Sequence, residues 1–117
     1  MADLRLEDAD LLVRLNPIEK LGAMRGDLRV PLSAVIAVRV SERPWSELRG
    51  LRSPGTGFPG LISLCTRRGD GIHDFAAVYG LQRAVVIDTY GADFDRLVIS
   101  RRDAEEKARM IKRHLLG

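Results

Sequence analysis

The stretch Leu61-Ile62-Ser63-Leu64-Cys65-Thr66-Arg67-Arg68-Gly69-Asp70-Gly71-Ile72-His73-Asp74-Phe75-Ala76-Ala77-Val78-Tyr79 reads as two strand-like runs around an Asp-Gly turn. Asp-Gly tolerates the positive φ of a tight hairpin, and the flanking runs (Leu61–Thr66, Asp74–Tyr79) are apolar. The core of the fold is therefore expected to be antiparallel β. Downstream, Gln82–Tyr90 and Arg96–Ser100 supply further strands joined through Gly91-Ala92-Asp93, which makes the second half a meander. Upstream, Val35-Ile36-Ala37-Val38-Arg39-Val40 is β-branched and apolar enough for a buried strand. Before it, Leu28-Arg29-Val30 is extended and Pro31-Leu32-Ser33 makes a corner.

The first residues add a hairpin, Leu4–Leu6 and Leu11–Leu15 around Glu7-Asp8-Ala9-Asp10. Asn16-Pro17-Ile18-Glu19 then carries the marks of a helix start: a capping amide, proline at the first turn, and a glutamate three residues beyond the cap. Gly22 and Gly26 limit that helix to a turn or two. At the other end the period changes. Ala104, Ala108, Ile111 and Leu115 recur at helical spacing behind Asp103 and Glu106, a capping pair, so a terminal amphipathic helix is expected to lie against the sheet.

The 117 residues suit a single domain, 1–117, with a real core. Apolar residues make up 45% and charged residues 30%, the balance of a chain that folds by itself. No window is apolar enough for a transmembrane segment, and the start of the chain lacks the pattern of a signal peptide, so a cytoplasmic location is expected, at most peripheral to a membrane. The lone Cys65 excludes an intrachain disulfide and reads as a small buried thiol. Cations are almost all arginine, with lysine only at Lys20, Lys107 and Lys112, but acids are interleaved throughout and the net charge is only +3. No nucleic-acid surface follows from that pattern.

Arg49-Gly50-Leu51-Arg52-Ser53-Pro54-Gly55-Thr56-Gly57-Phe58-Pro59-Gly60 is the best site candidate. Its glycines and prolines predict a loop, in which Arg49, Arg52, the hydroxyls of Ser53 and Thr56, and the backbone near Gly57 could converge on an anionic ligand. The competing reading is a structural loop wrapped over an open sheet edge, with Leu51 and Phe58 tucked in. Gly55-Thr56-Gly57-Phe58-Pro59-Gly60 spells the dinucleotide fingerprint, but no strand precedes it and no helix follows, so the phosphate-binding mechanism lacks its parts. Arg68-Gly69-Asp70 is explained by the hairpin turn, and Trp45 reads as a packing residue.

The Leu28–Val38 stretch resembles the strand, Pro-Leu-Ser corner, strand pattern of bacterial pleckstrin-homology-like proteins. With Arg49–Gly60, Asp74–Tyr79 and Phe94–Ser100, most of the chain is similar to small uncharacterised actinobacterial proteins with that presumed fold. The resemblance implies a mainly β architecture: a pleckstrin-homology-like, partly open barrel of about seven antiparallel strands with a C-terminal amphipathic helix. It brings no established activity. Phosphoinositide-binding members carry cations around the first hairpin, whereas here that turn holds Glu7, Asp8 and Asp10, which repel phosphate.

No catalytic or metal constellation stands out. His73 and Asp74 are adjacent on a strand and so point to opposite faces, and His114 sits alone on the last helix. The sequence thus reads as a non-enzymatic binding or protein-interaction module without a cofactor, engaging an anionic group or a partner peptide through Arg49–Gly60. Its partner would be a protein or a membrane-associated molecule, and an open edge would equally admit a second copy and a homo-oligomer. The alternative is a small enzyme or ligand carrier using the same loop with His73.

Overall fold

A computed structural model describes residues 1–116, together with their side chains apart from those of Ser53, Pro54 and Leu116. The chain begins with a three-stranded antiparallel sheet of β1 (Asp3–Glu7), β2 (Asp10–Arg14) and β3 (Leu28–Pro31), in that order. Asp8 takes a left-handed conformation (φ 57°) in the tight turn that sets Leu4 opposite Val13. Strand alternation then sends Leu4, Leu11, Val13, Leu28 and Val30 to the buried face.

Helix α1 (Pro17–Ala23) links β2 to β3 and starts as its sequence predicts. Asn16 Oδ1 accepts from the Glu19 amide at 2.8 Å, and Glu19 Oε1 accepts from the Asn16 amide at 2.9 Å. The glutamate is buried, and its other oxygen accepts from the Tyr79 hydroxyl at 2.5 Å, so the cap also pins α1 to the large sheet. Burial, reinforced by the hydrogen bond to Glu19, pushes the Tyr79 phenol well above its usual range.

The large sheet has six strands in the order β4 (Val35–Ser41), β8 (Ala84–Thr89), β9 (Arg96–Ser100), β7 (Ile72–Tyr79), β6 (Ile62–Gly69), β5 (Leu51–Phe58). Helix α2 (Ala104–Leu116) follows β9. The architecture is mainly β with a C-terminal helix, as expected, and the hairpin at Asp70-Gly71 joins β6 to β7 as read. In three respects it differs. The described residues hold nine strands rather than about seven, and the two sheets do not close into a barrel. β7 and β9 pair in parallel, so the second half is not a meander. The cause is burial: Leu97, Val98 and Ile99 are all fully buried, on both faces of β9, which suits a central strand and not the edge that sequential pairing would give it.

The third difference is the Gly/Pro run, which is an edge strand along Leu51–Phe58. A bulge between Arg52 and Gly55 absorbs Pro54 at a place where a missing donor costs little. Gly55 makes the bulge possible. Its φ of +125° is closed to other residues, and a Cβ there would meet the Leu64 carbonyl oxygen at 2.4 Å.

The main core lies on the face of the large sheet that carries Phe75, Ala77, Val85, Ile87, Leu97 and Ile99. These meet the inward face of the small sheet and Ala104, Ala108 and Ile111 of α2. Leu115, expected on the same stripe, is partly exposed where the helix passes beyond the core. The expected Asp103–Glu106 cap does not form among the described residues. Arg101 binds both Asp103 oxygens instead, at 2.7 and 3.0 Å.

Candidate functional site: a cleft beside the edge strand

The second face of the large sheet is lined by small residues, Ala76, Val78, Ala84, Val86 and Val98, which Trp45 and Leu48 cover. Small side chains leave the sheet surface shallow enough for a chain segment to lie across it. The segment from Pro44, which starts a single helical turn (Pro44–Glu47), to Gly50 does so. Arg67, Asp74, Arg96 and Asp88 form a cross-strand row beneath it, in register from β6 through β7 and β9 to β8.

Arg67, Asp74 and Arg96 of that row, with Arg39 on β4, tie the segment down. Arg49 donates Nε and Nη2 to the two oxygens of buried Asp74, both at 2.8 Å. Arg39 grips Glu47 through two bonds of 2.7 and 2.6 Å, and Arg96 reaches the Glu47 carbonyl at 3.2 Å while pairing with Asp88. Arg67 donates to the carbonyls of Arg49 (3.0 Å) and Gly50 (2.8 Å). Trp45 Nε1 donates to the Gly80 carbonyl at 2.7 Å, which fixes the indole ring. The Arg39 hydrogen bonds hold the Glu47 carboxyl at about 2, outweighing the burial that opposes ionisation. The Arg49 guanidinium is shifted further upward by Asp74.

Between fixed Trp45 and the β5–β6 hairpin runs an open cleft of about 360 Å³. Gly57 and Ser63, paired across the strands, form its floor, and Trp45, Phe58 and Pro59 supply apolar walls. Arg52 and Arg67 stand in its lining on neighbouring strands, opposite each other in register. Gly57 is needed for this arrangement. A Cβ there would press on Arg52 Cδ at 3.2 Å, whereas glycine lets the arginine lie along its own strand and donate Nη1 to the Gly57 carbonyl at 3.1 Å. Among the described residues neither Arg52 nor Arg67 has a carboxylate within salt-bridge distance, although Arg39, Arg49 and Arg96 on the same face are all matched.

The structure therefore separates the candidates named from sequence. Arg52 and Gly57 share the cleft. Arg49 belongs to the clamp on Asp74, and the Thr56 hydroxyl faces the other way, donating to the Gly22 carbonyl of α1 at 2.8 Å. The side chain of Ser53 lies outside the described residues. His73 does not line the cleft: its ring stacks on Phe94 with centroids 4.4 Å apart and its Nδ1 lies against the Asp93 carbonyl. Arg67 is the residue that sequence reasoning passed over. The available signal was alternation, since Ser63, Cys65 and Arg67 must share one face of β6. Comparison of the chain with family models, curated proteins and solved structures gives no match.

Proposed function

We propose that this chain is a non-enzymatic interaction module on a pleckstrin-homology-like scaffold and that its cleft binds an anionic group between Arg52 and Arg67. The observation carrying this reading is the pair of guanidiniums that, among the described residues, have no carboxylate partner on a face where Arg39, Arg49 and Arg96 are paired. Arginine donates several N–H groups in a rigid fork suited to carboxylate or phosphate, and apolar walls beside it reward a ligand with a hydrophobic portion. The scaffold part of the reading draws on the mainly β plan with its terminal helix, and on the resemblance around Leu28–Val38. The first hairpin offers less support for an anion site, because Arg29, the cation beside its turn, is already bound to Glu7 and Asp10 at 2.7 and 3.1 Å.

The test is an NMR titration of the whole chain with inorganic phosphate and with N-acetylglutamate. Amide shifts should concentrate at Arg52, Gly57, Ser63 and Arg67 and shrink as salt is added. A charge-assisted hydrogen bond is worth about 1.5–3 kcal/mol, so Arg52→Ala should weaken binding roughly ten- to a hundredfold while the spectrum elsewhere stays that of the folded chain. Shifts scattered over the surface, or unaltered affinity in Arg52→Ala, would remove this reading.

A further inference from the structure

We infer that the anionic group is an acidic side chain of an extended partner peptide, which adds as a seventh strand to the large sheet along β5; this rests on the anion-binding reading of the same cleft. β5 is the terminal strand of its sheet, and on its outer side no strand follows. It runs for eight residues, as long as β6 and β7. Proteins usually blunt such an edge with lysine, with inward charges or by keeping it short. Here Arg52, Pro54 and the bulge guard one end of the strand, and Gly55–Phe58 continues beyond them with no further charge or proline. Leu51 and Phe58, at the two ends of the strand, are 79% and 59% exposed.

Strand geometry fixes what a guest would present to the cleft. An added strand lies about 4.8 Å from β5 and sends alternate side chains to each face. On the cleft face β5 offers Gly57, which has no side chain of its own, with the Arg52 side chain lying along it and donating Nη1 to the Gly57 carbonyl, a bond the guanidinium would exchange for an acidic guest. An acidic guest residue there comes within reach of the Arg52 guanidinium, with Arg67 one strand further in. A guest residue two positions along falls on the same face, toward the apolar wall of Phe58 and Pro59. Charge selects the occupant. Leu51–Phe58 contains arginine and no Asp or Glu, so a second copy paired through β5 would bring like charges together, while an acidic peptide complements them.

The experiment screens the intact chain against an array of octapeptides built in matched sets that differ only in glutamate, glutamine or lysine at one position, then maps the best binder by NMR. Glutamate members should bind about ten- to a hundredfold more tightly than their glutamine and lysine counterparts, and Arg52→Ala should erase that difference. The amides within 51–58, Pro54 having none, should show the largest shifts and gain protection from exchange. Methylating alternate backbone nitrogens of the peptide, which leaves the protein untouched, should abolish binding. If N-acetylglutamate binds at the cleft but peptides bind no better, or the methylated peptide binds as well, strand addition is overturned and the anion site stands. If peptides protect 51–58 regardless of charge, the acidic specificity is overturned along with the anion reading. Failure of every peptide to bind, or peptide-independent dimerisation through β5, overturns the inference as well.

Discussion

Arg49 and Arg52 stand three positions apart in sequence and do different jobs because their neighbours differ. Arg49 meets Asp74, a carboxylate only 2% exposed, and forms two bonds with it. Arg52 meets a glycine carbonyl and open space. Removing one partner of a buried pair leaves an uncompensated charge, which is far more costly than losing an exposed one. Arg49→Ala should therefore destabilise the chain by about 2–3 kcal/mol, at or below the usual range for buried pairs because Arg49 is itself partly exposed. Denaturant unfolding reads this directly, and a loss below about 0.5 kcal/mol, the level of an ordinary surface substitution, would show that the clamp on Asp74 contributes nothing.

At the scale of the element, glycine and proline content misleads where tertiary pairing can absorb it. The Gly/Pro run is a strand because β6 supplies a partner and a bulge takes up Pro54. α2 is the opposite case, an element whose period alone describes it. Its Ile111 is fully buried among residues from both sheets. Ile111→Asp should bury an unpaired carboxylate and cost more than about 4 kcal/mol, enough to unfold a marginal domain. Circular dichroism during thermal melting should show a transition lowered by tens of degrees or lost. Near-native melting would mean that this face of α2 does not carry the packing described. Ile111→Val, which keeps the face apolar, should cost only about 1 kcal/mol.

Across the whole molecule, carboxylates bind the two ends of the chain and the covering segment to the sheets. Asp3 on β1 meets Arg101 at 3.5 Å and Lys107 of α2 at 3.2 Å, and Lys107 also donates to the Leu4 carbonyl at 3.0 Å. Burial alone would raise the Asp3 carboxyl, but hydrogen bonds from Arg5 and Lys107 outweigh it and hold it at about 2. Glu47 is held at about 2 by Arg39. Both values are depressed on folding, so their stabilisation is complete above the unfolded values of 3.8 and 4.5 and is lost as pH falls toward about 2. Each should contribute about 1–2 kcal/mol after allowance for solvent screening. Denaturation midpoints measured from pH 6 to pH 2 should be flat at first and then fall steadily below about pH 4.5. Glu47→Gln should flatten part of that fall, and an unchanged slope would exclude the Arg39–Glu47 contact as its source.

Local chemistry wrote several parts of this molecule directly into the chain. The capping residues of α1, the Asp70-Gly71 hairpin, the limits of β9 and the buried Ala104, Ala108 and Ile111 of α2 each depend on neighbours within a few positions, and each is legible in the sequence for that reason. Arg52 and Gly57, which line the cleft, stand out in the sequence on the same basis, as a cation and a small residue within one run. Strand order, the parallel β7–β9 pair and the identity of Arg67 were not, because they depend on which strands become neighbours, and that is decided by burying both faces of β9 in the assembled sheet. Which arginines find a carboxylate follows from the same assembly: Asp74 is 25 residues from Arg49 along the chain, and only the folded sheet brings it within 2.8 Å, while among the described residues it brings no acid to Arg52.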